Sequence, residues 1–175
     1  MRTFSNSGEC ASQNSITSTT RSLSRWFLGE VTEATGIVGT WFWDIAPLED
    51  NGFALLRTAS GAVAAIHTSW TQWRNLFRLE IFGRDGYLVV DGLGGSYGTE
   101  RLRLGRRLSG GGRPDEQEWD FEGDDVSWNN EWQEFKSAVA DGREPLGSGE
   151  DGYRAAVVID RIYESARTGR TVVIS

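Results

Sequence analysis

The 175 residues suffice for one core of ordinary size and are cramped for two full domains. A formal charge of -7 opposes a phosphate backbone, so nucleic acid is not an expected partner. A single cysteine, Cys10, excludes an internal disulfide framework, and no apolar run nears the roughly 20 residues that span a bilayer; a cytoplasmic chain with no membrane partner is the default expectation.

Residues 1–22 are rich in Ser, Thr, Asn and Gln without an apolar period, and read as a poorly ordered leader ahead of a folded region, 23–175. Leu23, Trp26 and Phe27 share a helical face and Gly29 suits a helix stop. From Val31 the pattern turns extended, rich in β-branched and aromatic residues, with strands expected at 32–43, 52–58, 62–71, 76–83, 86–91, 99–105 and 116–121. The short breaks at Ala59-Ser60-Gly61 and Arg84-Asp85-Gly86 make neighbouring strands antiparallel hairpins.

Two amphipathic helices follow, one carrying Trp128, Trp132, Phe135 and Val139, the other Ala155, Val158, Ile159, Ile162, Tyr163 and Ala166; each is expected to bury one face. Ser148 with Asp151 has capping-box spacing, Gly169 ends the second helix, and 171–174 reads as a last strand. Strands followed by helices predict an α+β fold, a predominantly antiparallel sheet with helices packed on one face. In the strand at 62–71 both sides are small or apolar, Val63 and Ala65 opposite Ala62, Ala64 and Ile66, so the open face is expected to serve assembly, with a homo-oligomer as the outcome.

Chemistry-bearing residues are sparse. Gly92-Leu93-Gly94-Gly95-Ser96-Tyr97-Gly98 lacks the third glycine of a dinucleotide fingerprint, at Tyr97, and leads toward a strand rather than a helix; it reads as an inter-strand loop. With one histidine and one cysteine no zinc set can form; Asp120, Glu122, Asp124 and Asp125 suit either a hard cation or a solvated loop, and no metal site is assigned. His67 has the side chain suited to proton transfer near neutrality, but no nucleophile and carboxylate accompany it, so a hydrogen-bonded sheet histidine is the competing reading. Trp41, Trp43, Trp70 and Trp73 suit sugar stacking or packing in a core or interface.

The stretch His67-Thr68-Ser69-Trp70-Thr71-Gln72-Trp73-Arg74-Asn75-Leu76-Phe77, continuing through Glu80 to Gly86 and Asp91 to Gly98, resembles the C-terminal sheet domain of the glucose-fructose oxidoreductase, inositol dehydrogenase and rhizopine-catabolism family. The resemblance covers about Leu23 to the end. Complete members join such a domain to a Rossmann domain that binds NAD or NADP. By resemblance this chain supplies the substrate-side and oligomerisation domain of a sugar-type NAD(P)-dependent oxidoreductase, with His67, Trp70, Trp73 and Arg74 lining the substrate.

The departures are specific. The family's Glu-Lys-Pro motif has no counterpart, since Lys136 is the only lysine and Ser137 follows it; the positions of the family's Asp and catalytic His fall on Ser15 and Thr19. No catalytic or cofactor-binding residue is therefore assigned, and the chain alone is expected to bind no NAD or NADP. A truncated gene, a frame shift and an unrelated leader all fit the loss of resemblance before Leu23. The alternative function is a non-catalytic scaffold that binds a carbohydrate ligand or another subunit.

Overall fold

A computed structural model of the chain describes residues 27–175; the expected leader, Cys10, Ser15, Thr19 and the start of the first helix lie outside them. The described residues open on the helical pair Phe27 and Leu28, followed by Gly29 at φ 88, as the helix stop requires. Strands β1 (Val31–Gly39), β2 (Asn51–Thr58), β3 (Val63–Ser69), β4 (Arg78–Phe82), β5 (Gly86–Asp91), β6 (Glu100–Arg106) and β7 (Asp115–Phe121) precede helices α1 (Ser127–Asp141) and α2 (Gly149–Thr168) and the short β8 (Val172–Val173). The α+β class and the antiparallel pairing agree with the sequence reading, and the strands form two sheets of four, ordered β3-β2-β1-β8 and β4-β5-β6-β7. The chain divides into two compact units, one reaching to Thr71 and resuming at Asp141, the other spanning Gln72–Ala140.

In the first unit, α2 covers one face of its sheet. Ala34, Ala54 and Leu56 meet Val158 and Ile162, with Val38, Ala64, Ile66 and Ile174 packed around them. Leu56 is essentially sealed from water, a burial worth about 1.5–3 kcal/mol. Helix and sheet approach so closely because Gly36 has no side chain: a Cβ there would stand 2.6 Å from both the Cγ2 and the carbonyl oxygen of Ile162. The Gly36 N–H donates to Ser165 Oγ at 2.9 Å, and that hydroxyl donates to the Arg170 carbonyl at 2.6 Å, so the buried serine joins strand, helix and the chain beyond it. Ser148 and Asp151 form the expected capping box, and Gly169 closes α2 in the left-handed conformation.

In the second unit the pleat sorts chemistry by face. Register places Arg78, Asp91, Arg101 and Asp120 in one cross-strand row and Glu80, Val89, Arg103 and Glu118 in the next. Arg101 pairs with Asp120 at 2.5 Å and Arg103 with Glu118 at 2.6 Å, while Arg78 bridges Glu80 and Asp91. The opposite face carries Leu79, Ile81, Leu88, Val90, Leu102, Leu104, Trp119 and Phe121, as strict alternation demands.

Two expectations need correction. The first strand stops at Gly39, so Trp41, Phe42 and Trp43 lie in a loop rather than in the strand expected to run to 43. Helix α1 forms where expected but buries only Ala138, and its stripe of Trp128, Trp132, Phe135 and Val139 stays exposed. Helical periodicity specifies that such a face is apolar; it does not specify what covers the face.

Gly36→Ala is expected to lower the stability of the helix-covered unit by about 1–3 kcal/mol through overpacking. Gly152→Ala, where a Cβ meets nothing within 4 Å, should instead be neutral or stabilise α2 by up to about 1 kcal/mol. Urea denaturation followed by circular dichroism compares the two.

Candidate functional site

At one end of the first sheet, the loop from Thr40 to Asp50 presents a cluster of apolar side chains. Its geometry is dictated by one carboxylate. Asp50, 1% exposed, accepts the backbone N–H groups of Trp41 (3.0 Å to Oδ1), Phe42 (2.7 Å to Oδ2) and Trp43 (2.9 Å to Oδ2), and the Asn51 amide at 3.1 Å. Three successive donors converging on one anion turn the chain out of the strand direction, which is why β1 ends where it does. Asn51 also donates to Thr71 Oγ1 at 3.1 Å, and Ser69 and Thr71 share a 2.9 Å hydroxyl contact. The Thr40 hydroxyl donates to the Leu48 carbonyl at 2.5 Å and the Trp43 indole N–H to the Trp70 carbonyl at 3.3 Å. Burial by itself raises the Asp50 pKa; the N–H groups of Trp41, Trp43 and Phe42, with the Asn51 amide, overturn that and hold the carboxyl far below the ordinary carboxylate range.

The face of this sheet opposite α2 is open. Its rows, read from the register, are Glu33–Arg57–Val63, Thr35–Leu55–Ala65 and Ile37–Phe53–His67. Glu33 and Arg57 pair at 3.4 Å, and His67 stacks on Phe53 with ring centroids 4.2 Å apart and planes 10° apart. Trp41 leans over the same row, 6.2 Å from Phe53, its indole lying where a Cβ on Gly39 would come within 2.6 Å.

Of the residues singled out as substrate-lining, His67 and Trp70 belong to the first unit, Trp73 and Arg74 to the second. Trp73 takes φ 61, a conformation that costs an aromatic residue free energy. A cleft of about 1460 Å³ in the first unit, lined by Glu30, Tyr153, Arg154 and Arg161 among others, includes none of the four. The glycine-rich segment forms a single 3-10 turn, Gly95–Tyr97, and passes into β6 rather than into a helix. Asp120 is committed to Arg101, and Asp125 accepts the Ser127 N–H at the start of α1 (2.9 Å). Among the described residues no three His, Cys, Asp or Glu side chains converge as metal ligands, and no helix is long and apolar enough to cross a membrane. Asp50 escaped the sequence reading. Its only signal was the turn-forming string Asp50-Asn51-Gly52 after an aromatic run.

Comparison with known proteins bears on this arrangement directly. Residues 18–89 match the GFO/IDH/MocA C-terminal domain. The match agrees with the resemblance read from the sequence, and it takes in the first-unit meander with Asp50 and His67. Among solved structures, the chain is similar to the aldose-aldose oxidoreductase from Caulobacter crescentus complexed with glycerol, at 25% identity and a TM-score of 0.74 over 90% of this chain and 45% of that one. It shares its fold with levoglucosan dehydrogenase in complex with NADH and levoglucosan, at 20% identity and a TM-score of 0.75 over 91% and 49%. A third similar fold is the WlbA dehydrogenase from Bordetella pertussis in complex with NADH and UDP-GlcNAcA, at 23% identity and a TM-score of 0.64 over 91% and 44%. The chain therefore spans under half the length of each of these proteins. No curated protein matches it.

A carboxyl with a depressed folded-state pKa stabilises the fold above its unfolded pKa, near about 3.9, and loses that contribution as pH falls below it toward the folded value. The urea midpoint of the wild-type chain should accordingly drop as pH is lowered through and below about 4. In Asp50→Asn, whose side chain does not titrate, the neutral-pH midpoint should be lower and the acid-side slope shallower; an unchanged slope would assign acid sensitivity to other carboxylates.

Proposed function

We propose that the chain acts as the substrate-side and assembly domain of a sugar-type NAD(P)-dependent oxidoreductase, contributing a sheet surface rather than the hydride-transfer machinery. The observation that carries this reading is the GFO/IDH/MocA C-terminal-domain match, joined to a fold shared with proteins named for aldoses and levoglucosan. In such enzymes a nicotinamide cofactor supplies the hydride acceptor. The glycine-rich segment of this chain does not fit that cofactor, because its turn feeds a strand and so aims no helix N-terminus at a pyrophosphate. No redox step is assigned to the described residues. The sugar-facing candidates are His67 and Trp70 in the first unit and Trp73 and Arg74 in the second.

The assembly part of the proposal rests on the open face of the first sheet, where Ile37, Phe53, Leu55 and Val63 are exposed although their strand mates on the other face are sealed by α2. A second copy of the chain is the proposed cover. The exposed indoles of Trp41, Trp43 and Trp70 favour a second reading, a non-catalytic scaffold that stacks on carbohydrate.

Sedimentation at micromolar concentration should give a species heavier than 19.4 kDa, shifted toward monomer by Leu55→Arg. Calorimetric titration with NADH and NADPH should give no stoichiometric complex in the micromolar range. A saturable cofactor complex would overturn the proposed division of labour, and sugar binding by a monomer would favour the scaffold.

A further inference from the structure

We propose that Ser109, in the hairpin loop between β6 and β7, is a phosphoacceptor for a serine kinase that selects basic peptides, and that Arg84, Arg106 and Arg107 hold the phosphate once it is attached. Nothing in it depends on the substrate-side and assembly readings above.

The local sequence is Arg106-Arg107-Leu108-Ser109-Gly110, and its Arg-Arg pair is the only one in the chain. Kinases that select basic peptides set carboxylates where the residues two and three places before the acceptor serine are received. A guanidinium offers such carboxylates a planar pair of donors. The stretch Arg57-Thr58-Ala59-Ser60 also has an arginine three places before a serine, but there both groups are engaged: Arg57 pairs with Glu33 at 3.4 Å, and the Ser60 hydroxyl lies 2.9 Å from that of Thr58. Ser109 is free of such contacts. It is exposed, and its hydroxyl has no hydrogen-bond partner among the described residues.

A kinase groove takes its substrate extended, so the loop must open. One backbone bond closes the turn around Ser109 and Gly110, from the Gly111 N–H to the Leu108 carbonyl at 3.0 Å. A Cβ at Gly110, Gly111 or Gly112 would meet nothing within 4 Å, so no packing against these residues resists a change of path. Leu108 is itself exposed. Opening therefore gives up a turn bond rather than part of the core, which places the loop among the segments that open most readily.

The surroundings favour the modified state. Arg84 stands in the turn between β4 and β5, the Asp85 carbonyl of that turn accepts the Arg107 N–H at 2.8 Å, and Arg106 lies opposite Gly86 in the ladder. Three arginines thus gather at one end of the second sheet. Arg78, Arg101, Arg103 and Arg113 are each paired with a carboxylate, whereas Arg84, Arg106 and Arg107 form no ion pair among the described residues. Asp85 and Asp115 share this end, so three cations face two carboxylates, a positive corner in a chain of charge -7. In the transfer, Ser109 Oγ bonds to the γ-phosphorus of Mg-ATP and the bond from that phosphorus to the β–γ bridging oxygen breaks. ADP leaves, and the hydroxyl proton passes through the kinase's base to solvent. The attached phosphate carries about -1.5 to -2 charges and three acceptor oxygens, for which the unpaired guanidinium groups are ready donors; the loop is thereby drawn onto the sheet end.

The test treats the full chain with Mg-ATP and the catalytic subunit of cAMP-dependent protein kinase, which selects basic peptides, and locates the product by tandem mass spectrometry. A synthetic peptide of residues 101–114 is treated in parallel. One phosphate per chain is expected, on Ser109, with none at that position in Ser109→Ala and labelling efficiency reduced roughly tenfold or more in Arg106→Gln or Arg107→Gln. Arg84→Gln lies outside the recognised stretch and should be labelled like the wild type. Its effect is on the product: by phosphorus NMR, the second ionisation of the phosphate should lie below about 6 in the wild type and move upward in Arg84→Gln. Circular dichroism checks that each variant keeps the fold. A peptide that is labelled while the folded chain is not would show that the loop does not open, and the proposal falls. Labelling confined to another serine, Ser60 included, also overturns it. An ionisation unmoved by Arg84→Gln overturns the phosphate-holding half. Binding of inorganic phosphate to the unmodified chain, lost in Arg84→Gln and accompanied by no kinase labelling, would make the corner a site for free phosphate and overturn the whole.

Discussion

The buried carboxylate of Asp50 holds together the end of the sheet on which the functional reading turns. Its backbone ties β1 to β3 across β2, and its side chain collects the N–H groups of the three aromatic residues that leave β1. A buried anion is costly unless its hydrogen bonds are satisfied, and here every donor comes from a residue of the loop or its neighbour. Removing the charge would leave those N–H groups competing for a weaker acceptor, and the loop would lose the constraint that keeps its apolar side chains outward. The same contact therefore links local backbone geometry, stability in acid and the shape of an exposed surface.

Each sheet has two unlike faces, and the difference is chemical in one and contextual in the other. In the second unit, alternation places paired arginines and carboxylates on one side and aliphatic and aromatic residues on the other. Exposed ion pairs of this kind contribute only about 0–1 kcal/mol each, so their larger effect is to penalise slipped register, which would bring apolar groups into the charged rows. In the first unit both faces are apolar, and only the position of α2 decides which is core. The small side chains of Ala34, Gly36 and Ala54 suit the face that a helix approaches closely, whereas Ile37, Phe53 and Leu55 stand on the face that remains open.

That asymmetry connects the fold to function. Over residues 18–89 the chain matches the GFO/IDH/MocA C-terminal domain, and the solved structures it resembles are about twice its length. His67 illustrates the point. As the single histidine it invites an acid-base role, yet its ring lies flat on Phe53 within an apolar row, and no carboxylate or nucleophile shares that row.

Period and punctuation alone were enough to place the strands, apart from the end of β1 and their division into two sheets, and to give their antiparallel pairing, both helices, the Ser148 capping box and the Gly169 stop, because these depend on residues a few positions apart. The two-sided apolar character of β3 was legible for the same reason. The role of Asp50 was not: a carboxylate after an aromatic run reads as a turn residue, and only the way the loop between β1 and β2 folds back brings three N–H groups around it. Nor could helical periodicity show that α1 would leave Trp128 and Trp132 exposed while α2 buried Val158 and Ile162. Amphipathicity is local, whereas burial needs a second surface, and which surface arrives is decided by how distant segments pack.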